Sequence, residues 1–204
     1  MLSAVISFTV SVNAFATEET VPDENAATLY LCSSVTLWPI VGHAFIYVEN
    51  NSDEPISVGL YEVPAGQGVS IGTFSFSVRD GLGIYYNLEA YRENTKNNTD
   101  NIWSISEELD ESELLKLNES LKSYPNYWSF GANCATFAFS MWNSVTGDGF
   151  ISLLIPAITE LMIIAAGGEK GVVQMYFPER EQVFRQRGYG DDAYLETASD
   201  NTVG

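Results

Sequence analysis

From Ala27 to about Ala90 the chain alternates between short apolar-rich runs, ATLYLCSSVTL, GHAFIYVEN, ISVGLYEV, VSIGTFSFSV and GIYYNLEAY, and the turn-forming segments NNSDEP, PAGQG and RDGLG. Runs of this length with turn residues every ten or so positions predict an antiparallel meander. The period changes after the polar loop RENTKNNTDN. Ser106 reads as an N-cap, the acidic residues behind it suit a first helical turn, and Leu109, Leu114, Leu117 and Leu121 recur at helical spacing. A second helix is predicted over CATFAFSMWNSVTG, whose small and apolar residues suit burial, with Gly147 as its stop and Cys134 in its first turn. The following run, FISLLIPAITELMIIAAGG, has about the length of a short membrane span. Pro156 and Glu160 interrupt it, so a spanning helix would carry a kink and a buried carboxylate; it reads instead as a buried or groove-facing helix. The tail from Pro178 holds Arg180, Arg185 and Arg187, then turns acidic and polar, and residues 191–204 are expected to be loosely ordered. The pattern as a whole predicts a single α+β domain over residues 27–190, an antiparallel meander followed by helices.

The ends of this pattern set a compartment. Residues 1–16, MLSAVISFTVSVNAFA, carry no charge and close on Ala14-Phe15-Ala16 before an acidic linker over 17–26. That is the form of an export signal, with cleavage expected after Ala16 and a secreted or extracytoplasmic mature chain; a buried N-terminal strand is the structural alternative. Charge narrows the partners. Nine Lys plus Arg against 27 Asp plus Glu give a formal net charge of −18 on 204 residues, which opposes any broad contact with nucleic acid or anionic lipid. At 46% hydrophobic and 18% charged residues, the chain has the composition of a folded domain rather than an acidic disordered tail. One histidine and two cysteines cannot assemble a four-ligand Cys/His zinc site, and no EF-hand or P-loop spacing is present, so neither metal nor organic cofactor is expected.

Any imidazole chemistry must use His43, at the start of the strand Gly42-His43-Ala44-Phe45. A strand is a stiff mount for a base. Cys134 is the natural nucleophile, because the first turn of a helix sets a thiolate against unpaired backbone N–H groups and the positive end of the helix dipole. Those N–H groups also suit an oxyanion. A hairpin centred on Ser52 and Asp53 would put Glu62 opposite His43, where a carboxylate can fix the imidazole tautomer; a one-residue slip offers Tyr61 or Val63 instead. Alternation along GIYYNLEAY places Tyr85, Asn87 and Glu89 on one face as a second polar and aromatic cluster. Asn133 is read as a helix cap, and Tyr127, Trp128 and Phe130 either line a groove or anchor the core. Against the catalytic reading stand a packing role for Cys134, or a Cys32 to Cys134 disulfide in an oxidising compartment, which would make the chain a non-catalytic binding or structural module.

Taken together, Gly42-His43-Ala44-Phe45 on a strand, the hairpin, VSIGTFS, GIYYNLEAY, the Leu-rich helix and YWSFGANCATFAFSMWN resemble the circularly permuted branch of the NlpC-like peptidases, thiol enzymes of papain-like fold in which the His strand precedes the Cys helix. The resemblance covers about Leu29 to Gly147. It implies a small antiparallel sheet packed against the helix that carries Cys134, with Cys134 as nucleophile, His43 as base and a polar third residue on a later strand, a description Glu62 fits. It also implies a cysteine hydrolase or acyltransferase acting on an amide or ester in a peptide, protein or lipid. Where papain-like enzymes carry a Gln-type side-chain amide, six residues before the nucleophile, this sequence has Trp128, so the resemblance identifies no second oxyanion donor; an indole N–H is able to donate but does not replace the amide. A lipid-associated role for the Pro156 segment is a third reading.

Overall fold

The computed structural model describes residues 25–37, 41–74, 82–96, 99–127, 129, 131–151 and 156–199. The export signal expected over 1–16, most of the acidic linker, Trp128, Phe130 and residues 200–204 lie outside them.

The opening strands form as their alternation dictates. β1 (Ala27–Leu37) and β2 (Val41–Asn50) pair antiparallel from Ala27↔Asn50 to Ser34↔His43. The chain then leaves the main sheet for a separate hairpin of β3 (Ile56–Val58) and β4 (Tyr61–Val63), and returns as β5 (Gly68–Phe74) and β6 (Gly83–Tyr86). β5, not the hairpin, lies beside β2, in the register Glu49↔Gly68 to Ile46↔Ile71. The residues of GIYYNLEAY do not continue as a strand. Asn87 adopts φ 66°, its N–H bonds Ser70 O at 2.7 Å, and the chain turns into α1 (Leu88–Lys96). Asn tolerates this left-handed corner better than most residues, and Leu88 and Ala90 are then buried on the helix.

The next boundary also differs from the periodic reading. Ser106 is no cap but lies within β7 (Ile102–Leu109), which pairs with the free edge of β1. The cap is Asp110, whose side chain accepts from Glu113 N–H while the Glu113 carboxylate accepts from Asp110 N–H, opening α2 (Glu111–Ser123). Leu114, Leu117 and Leu121 form its buried stripe as expected. α3 (Cys134–Thr146) begins at Cys134 and stops at Gly147, φ 68°. α4 (Pro156–Ala165) buries Thr159 and Ile163 and leaves Leu161 and Ile164 half exposed. No helix among the described residues is long and apolar enough to cross a membrane.

β8 (Glu169–Lys170), β9 (Phe184–Arg187) and β10 (Tyr194–Thr197) complete an eight-stranded antiparallel sheet in the order β10-β9-β6-β5-β2-β1-β7-β8. Part of the tail expected to be loose is therefore sheet. β10 pairs with β9 from Tyr194↔Arg187 to Thr197↔Phe184, and Ala198 N–H bonds Val183 O. The molecule is thus α+β. On one face Leu29, Leu31, Ala44, Ile46, Val48 and Ile71 meet α2, α3 and Ile163 of α4 in the main core. On the other, Cys32, Phe45 and Tyr47 pack under Ala90 of α1 and under Val173 and Met175.

Candidate active site

Alternation along β2 decides where His43 points. Ala44, Ile46 and Val48 belong to the core beneath α3, so His43, Phe45 and Tyr47 face the opposite side. There the imidazole lies 4.4 Å, centroid to centroid, from the Phe74 ring and 6.0 Å from that of Phe45. About a quarter of its side chain is exposed. Its Nε2 is 3.1 Å from Oε1 of Glu89, in the first turn of α1.

Glu89 is almost fully buried, and β5 supplies its seat. Ser70 Oγ donates to Glu89 Oε2 at 3.2 Å and accepts the Ala90 N–H at 3.1 Å. Two residues on, Gly72 leaves the space the carboxylate fills: a Cβ there would lie 1.8 Å from Glu89 Oε1 and 3.2 Å from His43 Nε2. A glycine at this position is a condition for the ion pair rather than a turn device.

Cys134 arrives from the other face of the sheet. β2 and β5 are paired only as far as Ile46↔Ile71, and the alternation of β2 turns the Ala44 N–H toward β5, as Asn50 N–H does when it bonds Gln67 O. Where the strands part, that N–H is hydrogen-bonded by the Cys134 sulfur, which also bonds His43 and the Ala135 N–H. With Nε2 engaged by Glu89, Nδ1 is the ring nitrogen left for the thiol. Burial opposes the thiolate, but the His43 charge and hydrogen bond, with the two N–H groups, carry the Cys134 pKa below its ordinary value. Burial likewise opposes the imidazolium, and is outweighed by Cys134 first and then by Glu89, which together raise His43 to about 10. Both shifts act in one direction, favouring the thiolate and imidazolium over the neutral thiol and imidazole.

Asn133 is the cap of α3. Its Oδ1 accepts the N–H groups of Ala135 at 3.0 Å and Thr136 at 3.2 Å. The Cys134 N–H is outside that cap and sits beside the sulfur, as an oxyanion donor must. Tyr127 is half exposed just before α3, while Trp128 and Phe130, read from sequence as groove or core residues, fall outside the described residues.

The structure thus brings together His43 and Cys134, and separates both from Glu62. Glu62 sits exposed on the β3/β4 hairpin, accepting from Ser57 Oγ. The two-fold count across a Ser52-Asp53 turn fails because that turn leads into a different sheet, so β4 never lies beside β2. Sequence reasoning missed the role of Glu89. Its one signal was a carboxylate among Tyr85, Tyr86 and Asn87 at the close of the last strand, and the strand reading hid that Asn87 turns it over His43. Both cysteines are free thiols. Cys32 is buried with Phe45 and Tyr47 on the sheet face away from α3, and burial chiefly, then the Glu89 charge, push its pKa far up. Among the described residues no cluster of three His, Cys, Asp or Glu side chains is arranged to hold a metal ion.

Comparison of the chain with family models, with curated proteins and with solved structures finds no match.

Proposed function

We propose that this protein is an extracytoplasmic cysteine hydrolase or acyltransferase of the permuted NlpC-like, papain-fold kind, with Cys134 as nucleophile, His43 as its acid and base, and Glu89 as the group that orients and charges the imidazole. The observation that carries the reading is the line Glu89–His43–Cys134, assembled from α1, β2 and α3 at one parting of the sheet. The chain order supports it too, with the His strand before the Cys helix.

In this mechanism the proton of the Cys134 thiol rests on His43, and the sulfur attacks the carbonyl carbon of an amide or ester in a peptide, protein or lipid. A C–S bond forms and the carbonyl π pair moves to oxygen, next to the Cys134 N–H. Collapse breaks the bond to the leaving amine or alcohol, which takes the His43 proton, and leaves a thioester on Cys134. His43 then deprotonates water or a second acceptor, whose attack breaks the C–S bond, releases the acyl group and returns the sulfur as a thiolate beside the protonated His43. The 3.1 Å contact with Glu89 keeps the imidazole in one orientation through both halves.

The test is the rate of iodoacetamide labelling at Cys134 against pH, in the protein and in His43→Ala, together with mass spectrometry of the chain after exposure to a p-nitrophenyl ester. The expected result is labelling that persists well below the free-thiol pKa of about 8.5, is lost with His43, and is accompanied by an acyl adduct on Cys134. Labelling with the pH dependence of a free thiol, or an adduct that survives Cys134→Ala, would sink the proposal.

A further inference from the structure

Eight residues of β7 face only two of β8, and among the described residues no strand pairs with the edge beyond them. Backbone direction along β7 follows from the ladder. Asn51 N–H bonds Ala26 O, so even-numbered residues of β1 turn toward β2 and odd-numbered ones toward β7. Odd-numbered residues of β7 therefore bond β1, and even-numbered ones point outward, as Ile102 O does in accepting Gly171 N–H. β8 pairs with Trp103 and Ser104. Past it the chain leaves the edge, Gly168 N–H and Gly167 N–H turning back to Ile163 O and Ile164 O of α4. The outward N–H and C=O groups of Ser106 and Glu108 thus have no strand beside them among the described residues.

A cavity of about 440 Å³ runs along this edge. Tyr30, Trp142 and Phe150 give it aromatic walls, and Glu107, Asp148 and Glu169 line it with carboxylates. The Trp142 Nε1–H donates to Asp148 Oδ2 at 3.0 Å, which fixes one wall. Ser104, also lining the cavity, is buried with its Oγ lacking a hydrogen-bond partner among the described residues. Backbone donors and acceptors at strand spacing, aromatic walls and three negative charges together select one class of occupant.

We propose that the open edge of β7 is a docking groove for an extended peptide segment bearing Lys or Arg, which adds as a strand beside Ser106 and Glu108. The main-chain bonds supply affinity and the three carboxylates supply the preference for cationic side chains. The groove lies at the C-terminal end of α3 and Cys134 at its start, so roughly 20 Å, 13 helical residues at about 1.5 Å each, separates the two. A strand rises about 3.3 Å per residue, so the two outward positions Ser106 and Glu108 lie only about 7 Å apart, and the pairing site they make is distinct from the thiol.

The experiment uses a fluorescent hexapeptide alternating lysine and valine, with anisotropy and amide hydrogen exchange as readouts, on the wild-type chain and on Cys134→Ala, whose binding should be unchanged. Binding should slow exchange at Ser106 and Glu108, and Glu107→Gln with Glu169→Gln should weaken it about tenfold. Methylating alternate backbone nitrogens of the peptide keeps every charge but removes its donors, and should weaken binding by roughly tenfold or more. Equal affinity for the methylated peptide, without protection of Ser106 and Glu108, would show attraction to the −18 surface alone and overturn the proposal. Absence of binding, or equal binding of a glutamate and valine peptide, would overturn it as well.

Discussion

Cys134 and His43 illustrate how a residue's surroundings, rather than its type, set its chemistry. The thiol pKa falls despite burial, and the imidazole rises to about 10 from 6.5, because each stabilises the other's charge and Glu89 adds its own. Glu89→Gln keeps the shape and removes the charge. It should lower the His43 pKa, raise that of Cys134 and cut iodoacetamide labelling at pH 6 about tenfold, one pKa unit being about 1.4 kcal/mol. Glu62→Gln should leave the profile unchanged, since Glu62 bonds Ser57 on another sheet. Ser70→Ala removes one of the hydrogen bonds that seat Glu89 and should give a smaller shift in the same direction. The stability signs follow from the same two shifts. The raised His43 value stabilises the fold fully below about 6.5 and is lost as pH rises through about 10. The lowered Cys134 value contributes above 9.0 and is lost as pH falls through the folded value. Urea denaturation against pH in Cys134→Ser should accordingly lose the Cys134 limb and shrink the His43 limb to the part that Glu89 supports. Of the site residues, Cys134 and His43 were legible because each is nearly unique of its kind in the sequence. Glu89 was not, since one of 27 acidic residues is marked only by what it touches.

Elements place these side chains, and two of them do so through residues that carry no chemistry. On β5, Gly72 is required by the volume of the Glu89 carboxylate. Gly72→Ala should push that carboxylate off His43, destabilise the fold by about 1–3 kcal/mol and depress labelling at pH 6 to the level of Glu89→Gln, as measured by urea denaturation and mass spectrometry. On α3, Asn133→Ala removes acceptance from two N–H groups and should cost about 1 kcal/mol in urea denaturation. The element reading from sequence held where an apolar run is bounded by turn or capping residues, as in β1, β2 and α3, and where a leucine stripe recurs at helical spacing, as in α2. It slipped at Asn87 and Ser106. A strand and a short amphipathic helix both accept the polar and apolar order of NLEAY, and SISEEL looks like a helix start until the edge of β1 claims it.

The whole molecule is held by an eight-stranded sheet whose last strands come from the chain's far end. Removing residues 194–204 deletes β10 and the Ala198 N–H bond to Val183 O, and should lower Tm by several degrees. An unchanged Tm would mean that this end does not contribute to the fold. The sequence by itself determined the α+β class, the thiol at a helix start, the imidazole at a strand start and the strong negative charge, because periodicity, capping and composition are local properties. The tertiary structure alone decided that β5 rather than β4 lies beside β2, that α1 brings Glu89 onto His43, and that Cys134 reaches the imidazole from the opposite face where two strands part. It alone decided that, among the described residues, no strand pairs with β7 beyond Ser104 on its outer edge. Those outcomes depend on which strands pair across the sheet, and pairing is fixed by burial and backbone hydrogen bonding summed over the chain, which no segment carries alone.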